Sequence, residues 1–154
     1  MSKVWLEAGE IVMSGGKVTD CDACPCDTGT GTQVAVDCCG CLSMPQTWKI
    51  TVAGITNQDC ADCANANGTF NLVYPGTGCT WNSSTFNTLC AATGQWSLYC
   101  VSGTTWQLDL LSAGNPIASW TKAGFACLSS NVMTLSFSTT NCAGWPATIT
   151  VDPV

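Results

Sequence analysis

From Pro45 to the C-terminus, apolar and polar residues alternate in short runs. Six runs have this pattern, and their apolar positions are Trp48, Ile50 and Val52; Phe70, Leu72 and Tyr74; Trp96, Leu98 and Cys100; Trp106, Leu108 and Leu110; Met133, Leu135 and Phe137; and Ala147, Ile149 and Val151. A period of two is typical of a strand with one buried face. Turn-forming residues separate the runs, and NPIASW (115–120) adds another short strand. The pattern predicts an antiparallel β-sandwich, jelly-roll or Ig-like, over residues 46–154, with a small β-barrel as the alternative.

Cysteine is concentrated ahead of these strands. Of the 13 cysteines, eight lie between residues 21 and 63, namely Cys21, Cys24, Cys26, Cys38, Cys39, Cys41, Cys60 and Cys63. We predict a disulfide-rich knot over 21–45 that Cys60 and Cys63 join. Zinc is the alternative, because Cys21/Cys24 and Cys60/Cys63 both have C-x2-C spacing. Free thiols are a third possibility, but flanking aspartates disfavour thiolates and therefore a redox-active cysteine.

The other five cysteines lie within the predicted strand region. Cys79 and Cys90 bracket a loop, and Cys127 and Cys142 flank one strand, so we predict the disulfides Cys79–Cys90 and Cys127–Cys142. Cys100 alternates with buried apolar residues, and we predict that it is a free thiol.

The composition excludes several functions. Histidine is absent and charged residues make up 9% of the chain, against about 25% in an ordinary domain. Without histidine there is no Ser-His-Asp or Cys-His catalysis, and no nucleophile–base pair is recognisable, so we expect a protein that is not an enzyme and needs no cofactor. The net charge of −6 argues against nucleic acid as a partner.

Seven tryptophans suggest an alternative role in carbohydrate binding. Trp81, Trp120 and Trp145 lie in or beside predicted turns, where exposed indole rings would stack on sugars. Burial at the ends of the strands is the simpler explanation.

Residues 1–20 are expected to form an N-terminal arm. The arm has no apolar core or cleavage site of a secretory signal peptide, and the sequence has no apolar run long enough to span a membrane.

Three segments carry a resemblance to known proteins: CDACPC (21–26), GITNQDCADCANANGTFNL (54–72) and NCAGWPATITV (141–151). Together they resemble cysteine-rich, uncharacterised structural proteins of tailed phages and planctomycetes, loosely over residues 21–154. The resemblance implies a structural role in a virion or at a cell surface.

We therefore expect a structural or decoration protein of an extracellular particle, such as a phage capsid, tail or surface fibre. Its expected partners are copies of itself or other proteins of the same particle, contacted through the arm. A carbohydrate-binding module and a zinc-stabilised interaction domain are the alternatives.

Overall fold

The computed structural model describes residues 45–75, 79–102, 105–126 and 128–154, together with two strands near the N-terminus. The strands are β1 (Val4–Glu7), β2 (Glu10–Met13), β3 (Thr47–Val52), β4 (Thr56–Asn57), β5 (Gly68–Val73), β6 (Thr80–Asn82), β7 (Phe86–Leu89), β8 (Ala92–Ser102), β9 (Thr105–Ser112), β10 (Asn115–Lys122), β11 (Asn131–Ser138), β12 (Cys142–Ala143) and β13 (Thr148–Pro153). A short 3₁₀ helix, Cys63–Ala66, precedes β5.

Eight of the strands form a closed antiparallel barrel. Their order is β6, β5, β3, β13, β11, β10, β9 and β8, and β6 closes the ring by pairing with β8, where Trp81 lies opposite Leu98. The predicted all-β antiparallel fold is confirmed, but its arrangement is the alternative, a small barrel, rather than a sandwich. Alternation does not reveal β6, because this three-residue strand is surrounded by turn-forming residues, and β6 is the strand that closes the sheet.

Tryptophan rings fill much of the core. Five of them are at most 2% exposed: Trp48, Trp81, Trp96, Trp106 and Trp120. Trp106 stacks on Phe125 with ring centroids 4.8 Å apart, and Phe125 also meets Trp48 edge-on at 5.2 Å. Such aromatic pairs contribute roughly 0.5–1.5 kcal/mol each beyond the burial of their surface. Trp48, Trp96 and Trp106 occupy the inward positions that alternation predicts.

Phe137 departs from the predicted inward face of β11. Trp120 opposes Leu135, whereas the neighbouring Ser119 opposes Phe137, so Ser136 is an extra residue in β11. A bulge of this kind shifts the following side chains to the other side of the sheet. Phe137 is 48% exposed as a result, and the prediction of its burial is wrong.

Only part of the predicted arm and knot is described. Within the arm, β1 and β2 pair as an antiparallel hairpin, with Trp5 opposite Val12. The predicted boundaries of the arm (1–20) and knot (21–45) remain predictions. Seven cysteines lie outside the described residues: Cys21, Cys24, Cys26, Cys38, Cys39, Cys41 and Cys127.

Candidate functional site

The loop between β3 and β5 carries the C-x2-C pair and is shaped by asparagine side chains. Asn67 Nδ2 donates to the Ile55 carbonyl oxygen at 2.8 Å, and Asn67 Oδ1 accepts from the Ile55 amide at 3.0 Å. Asn57 Oδ1 accepts from the Ala64 amide at 3.1 Å. Asparagine suits this task because one side chain offers both a donor and an acceptor. These bonds fold the loop back on itself and fix the start of the 3₁₀ helix, which begins at Cys63.

The segment around β12 lies against this loop. The carbonyl oxygen of Asn141 accepts from the amides of Asp59 and Cys60, each at 3.0 Å. The next residue, Cys142, pairs with Asn57 in the short β4–β12 ladder. Backbone hydrogen bonds that involve no sulfur atom therefore hold Cys142 beside the C-x2-C loop.

Two glycines permit this close approach. Gly144 has a φ of 68°, and a Cβ atom there would overlap the carbonyl group of Gly54. A residue other than glycine would therefore meet both backbone strain and a steric clash.

The third segment is the two-residue turn between β7 and β8. Leu89 pairs with Ala92 across this turn, and both turn residues, Cys90 and Ala91, have positive φ values of 55° and 62°. Such tight hairpin turns usually use Asn-Gly or Gly-rich pairs, because other side chains are strained in the left-handed region. Here a residue of the C-x2-C loop contacts the turn, since Asp62 Oδ2 accepts a hydrogen bond from the Ala91 amide at 3.3 Å.

Four cysteines converge where these three segments meet. Cys60 is bonded to Cys90 with Cα atoms 4.9 Å apart, and Cys63 is bonded to Cys142 with Cα atoms 5.6 Å apart. The sulfur atoms of all four lie within 4.8 Å of one another. Cys63 and Cys142 are buried, whereas the other pair is half-buried. The two disulfides therefore form one compact sulfur cluster.

The disulfides connect parts of the chain that are far apart in sequence. The Cys60–Cys90 bond spans 30 residues and the Cys63–Cys142 bond spans 79. By loop-closure entropy alone, bonds of these spans stabilise a folded chain by about 3.5 and about 4.5 kcal/mol.

Several predicted pairings are wrong. Cys90 is bonded to Cys60 and not to Cys79, and Cys142 is bonded to Cys63 and not to Cys127. The predictions paired cysteines that are close in sequence, whereas closure of the barrel decides which loops meet. The idea that Cys60 and Cys63 join a knot confined to residues 21–63 is wrong for the same reason.

The prediction of a free thiol at Cys100 is also wrong. Cys100 is disulfide-bonded and only half-buried, so it does not behave as a small buried hydrophobe. Substitution of Cys100 is therefore expected to remove a disulfide.

The four cysteines that the structure brings together differ from the four predicted as zinc ligands. Cys21 and Cys24 lie outside the described residues, and the structure places Cys90 and Cys142 beside Cys60 and Cys63. No sequence signal marks the added two, because single cysteines on a turn and on a two-residue strand have no ligand spacing.

The tryptophans proposed for sugar binding are mostly inaccessible. Trp81 and Trp120 are 0% exposed, and each indole N–H donates to a proline carbonyl oxygen, Pro45 at 3.0 Å and Pro146 at 2.8 Å respectively. Both lie on strands rather than in turns, so neither ring face is available to a sugar. Trp145 is half-buried and packs edge-on against Trp120 with ring centroids 6.2 Å apart.

A polar network on β8 and β9 is a feature that sequence reasoning missed. The Tyr99 hydroxyl donates to Asp109 Oδ2 at 2.7 Å, and Gln107 Nε2 donates to Asp109 Oδ1 at 2.8 Å. Burial, with the hydrogen bond to Asp109 and the charge of Asp109 as further causes, raises the pKa of Tyr99 to about 12. Alternation places these residues outward, but Asp109 is only 4% exposed because cross-strand neighbours cover it.

Among the described residues, no helix is both long and apolar enough to cross a lipid bilayer. Comparison with protein-family models, curated proteins and solved structures finds no match to this chain.

Proposed function

We propose that this chain is a non-enzymatic structural or decoration protein of an extracellular assembly, such as a phage capsid, a phage tail or a surface fibre. The observation that carries the proposal is the Cys63–Cys142 disulfide. It joins the loop that follows β3 to the segment that precedes β13, and β3 and β13 are neighbours in the barrel.

That position matters because β3 and β13 come from opposite ends of the barrel sequence. Their pairing, with Ile50 opposite Val151, closes a long loop and forms the seam between the first and last strands of the barrel in sequence. A covalent bond beside the seam opposes separation of these two strands. Disulfides of this kind persist in oxidising surroundings, and they are therefore compatible with an extracellular location.

The core also supports a structural role. Trp81 and Trp106 pack with ring centroids 5.5 Å apart, and Trp96 and Trp120 with centroids 5.6 Å apart. Side chains in mutual contact occupy the space that a barrel with a ligand would leave open. The outer surface of the domain is thus the part that acts on other molecules.

The chain has few charged side chains. Acidic residues number ten and basic residues four in 154 positions, so contact between neighbouring subunits has to remove few charged groups from water, which is a costly step. Residues 1–20 remain our proposed contact with a neighbouring subunit.

The test has two parts. Mass spectrometry of gradient-purified virions or surface fibres from the source organism should detect the chain at a fixed ratio to the major particle protein. Sedimentation velocity of the purified full-length protein should show concentration-dependent association that deletion of residues 1–20 abolishes. A protein that stays monomeric at every concentration and is absent from purified particles would contradict the proposal.

A further inference from the structure

We propose that the reduced protein binds one Zn²⁺ ion through the sulfur atoms of Cys60, Cys63, Cys90 and Cys142. The same cluster would then exist as two disulfides in oxidising surroundings and as a four-thiolate metal site in reducing surroundings. This inference is independent of the proposed structural function.

The geometry of the cluster is the first argument. Tetrahedral zinc with Zn–S bonds of about 2.3 Å holds its sulfur ligands about 3.8 Å apart. The sulfur atoms of the four cysteines in this cluster already lie within 4.8 Å of one another. Once the two S–S bonds are broken, bonded sulfurs must separate and the others must approach by about 1 Å or less, given that ligand spacing. Rotation of cysteine side chains supplies movements of this size.

The second argument is that hydrogen bonds, and not only the sulfur bonds, hold the three segments together. The Asn141 carbonyl oxygen accepts from the Cys60 amide, and Cys142 is held by its ladder with Asn57. Asp62 holds the turn that carries Cys90. None of these hydrogen bonds uses a sulfur atom, so reduction of the disulfides removes none of them directly, and we infer that they keep the four thiols close together.

The chemistry of the ligands selects the metal. Cys60 and Cys63 have the C-x2-C spacing of structural zinc sites, and four thiolates favour zinc over magnesium or calcium, which prefer oxygen ligands. A zinc ion with four thiolates carries a net charge of −2, and the carboxylates of Asp59 and Asp62 lie close in sequence to the ligands. These charges weaken binding compared with a site that has basic neighbours, but the ion itself compensates most of the thiolate charge.

Conversion of the two disulfides into the zinc site balances in electrons and protons. Two molecules of a dithiol reductant transfer four electrons to the two disulfides, which yields four cysteine thiols and two cyclic disulfides of the reductant. Zn²⁺ then forms four Zn–S bonds while the thiols lose four protons to solvent. Binding is therefore expected to strengthen as pH rises through the range in which thiols ionise.

The test uses the full-length protein, reduced with dithiothreitol and desalted without oxygen. Zinc is added, iodoacetamide alkylates the accessible thiols, and peptide mapping locates the unmodified cysteines. We expect one zinc ion per chain, with Cys60, Cys63, Cys90 and Cys142 protected from alkylation. The oxidised protein, carried through the same steps without dithiothreitol, should retain no zinc.

Substitutions provide an independent readout. Cys90→Ser and Cys142→Ser should each lose the bound zinc, whereas the matched controls Cys79→Ser and Cys24→Ser should keep it. If the reduced wild type takes up no zinc, the proposal fails. It also fails if zinc protects Cys21 and Cys24 together with Cys60 and Cys63, because that result identifies the ligand set predicted from spacing. The alkylation map needs only the wild type, so it decides the question even if a variant does not fold.

Discussion

Asn67 and Ile55 exchange two hydrogen bonds, with the Asn67 amide nitrogen 2.8 Å from the Ile55 carbonyl oxygen and the Asn67 oxygen 3.0 Å from the Ile55 amide. The pair closes the loop that presents Cys60 and Cys63. Because Ile55 is 2% exposed, water cannot readily replace the lost partner.

The first prediction concerns this pair. Asn67→Ala removes both hydrogen bonds with Ile55 and a third, more exposed one from Asn67 Nδ2 to the Ala64 carbonyl oxygen at 3.1 Å. It is expected to lower the free energy of unfolding by about 2–3 kcal/mol, at roughly 1 kcal/mol for each hydrogen bond. Asn67→Asp should cost at least as much, since a carboxylate cannot donate to the carbonyl oxygens of Ile55 and Ala64. Urea unfolding of the oxidised protein measures both. Asn71→Ala, an exposed change on β5, is the control, and an equal loss in the control would contradict this assignment.

The second prediction ranks the two disulfides. Removing both partners of Cys63–Cys142 by alanine should cost more than removing both partners of Cys60–Cys90, by about 1 kcal/mol from the difference in loop length. Substituting both cysteines of a pair avoids leaving a thiol that exchanges with other disulfides. Thermal unfolding without reductant gives the order, and a larger loss for the Cys60–Cys90 variant would show that local strain outweighs loop length.

The sequence predicts the strands better than it predicts their closure. Alternation correctly places Trp48, Ile50, Trp96 and Trp106 on inward faces, because the inward or outward direction of a side chain depends only on its position within its own strand. It says nothing about β6, whose three residues are too few to show a period. Without the pairing of β6 with β8, the sheet would be open and not closed into a barrel.

The cysteine pattern shows the same limit. Spacing predicted that Cys60 and Cys63 lie close together, because C-x2-C places two sulfurs on one turn, and the structure places both in the sulfur cluster. It could not identify Cys90 or Cys142, which reach the site through a hairpin turn and a seam between distant strands. Connectivity of this kind follows from the fold and not from distance along the chain.

The third prediction tests close packing of β7 on β8. The ring of Phe86 lies where a Cβ atom on Gly94 would be, and Gly94 is buried. Gly94→Ala should therefore lower the free energy of unfolding by about 1–3 kcal/mol, as for overpacking. The loss should shrink when Gly94→Ala is combined with Phe86→Ala, compared with its cost in the wild type. Four unfolding curves complete the double-mutant cycle, and simple additivity would contradict a clash between these two residues.

The last prediction concerns the ionisation of Tyr99. Its pKa is raised to about 12 by burial first and then by Asp109, compared with about 10 in an unfolded chain. Because the folded value is the higher one, the protonated hydroxyl favours the folded state. The stability that this hydroxyl contributes is fully present below pH 10 and is lost as pH rises through about 12.

The chain has two tyrosines, so Tyr74→Phe leaves Tyr99 as the only phenol that titrates. A rapid-mixing titration followed by the ultraviolet absorbance of phenolate should then give a midpoint near 12. In the same background Asp109→Asn should lower the midpoint while leaving it above the unfolded value, because burial remains. A midpoint of about 10 in the folded Tyr74→Phe protein would contradict the buried network.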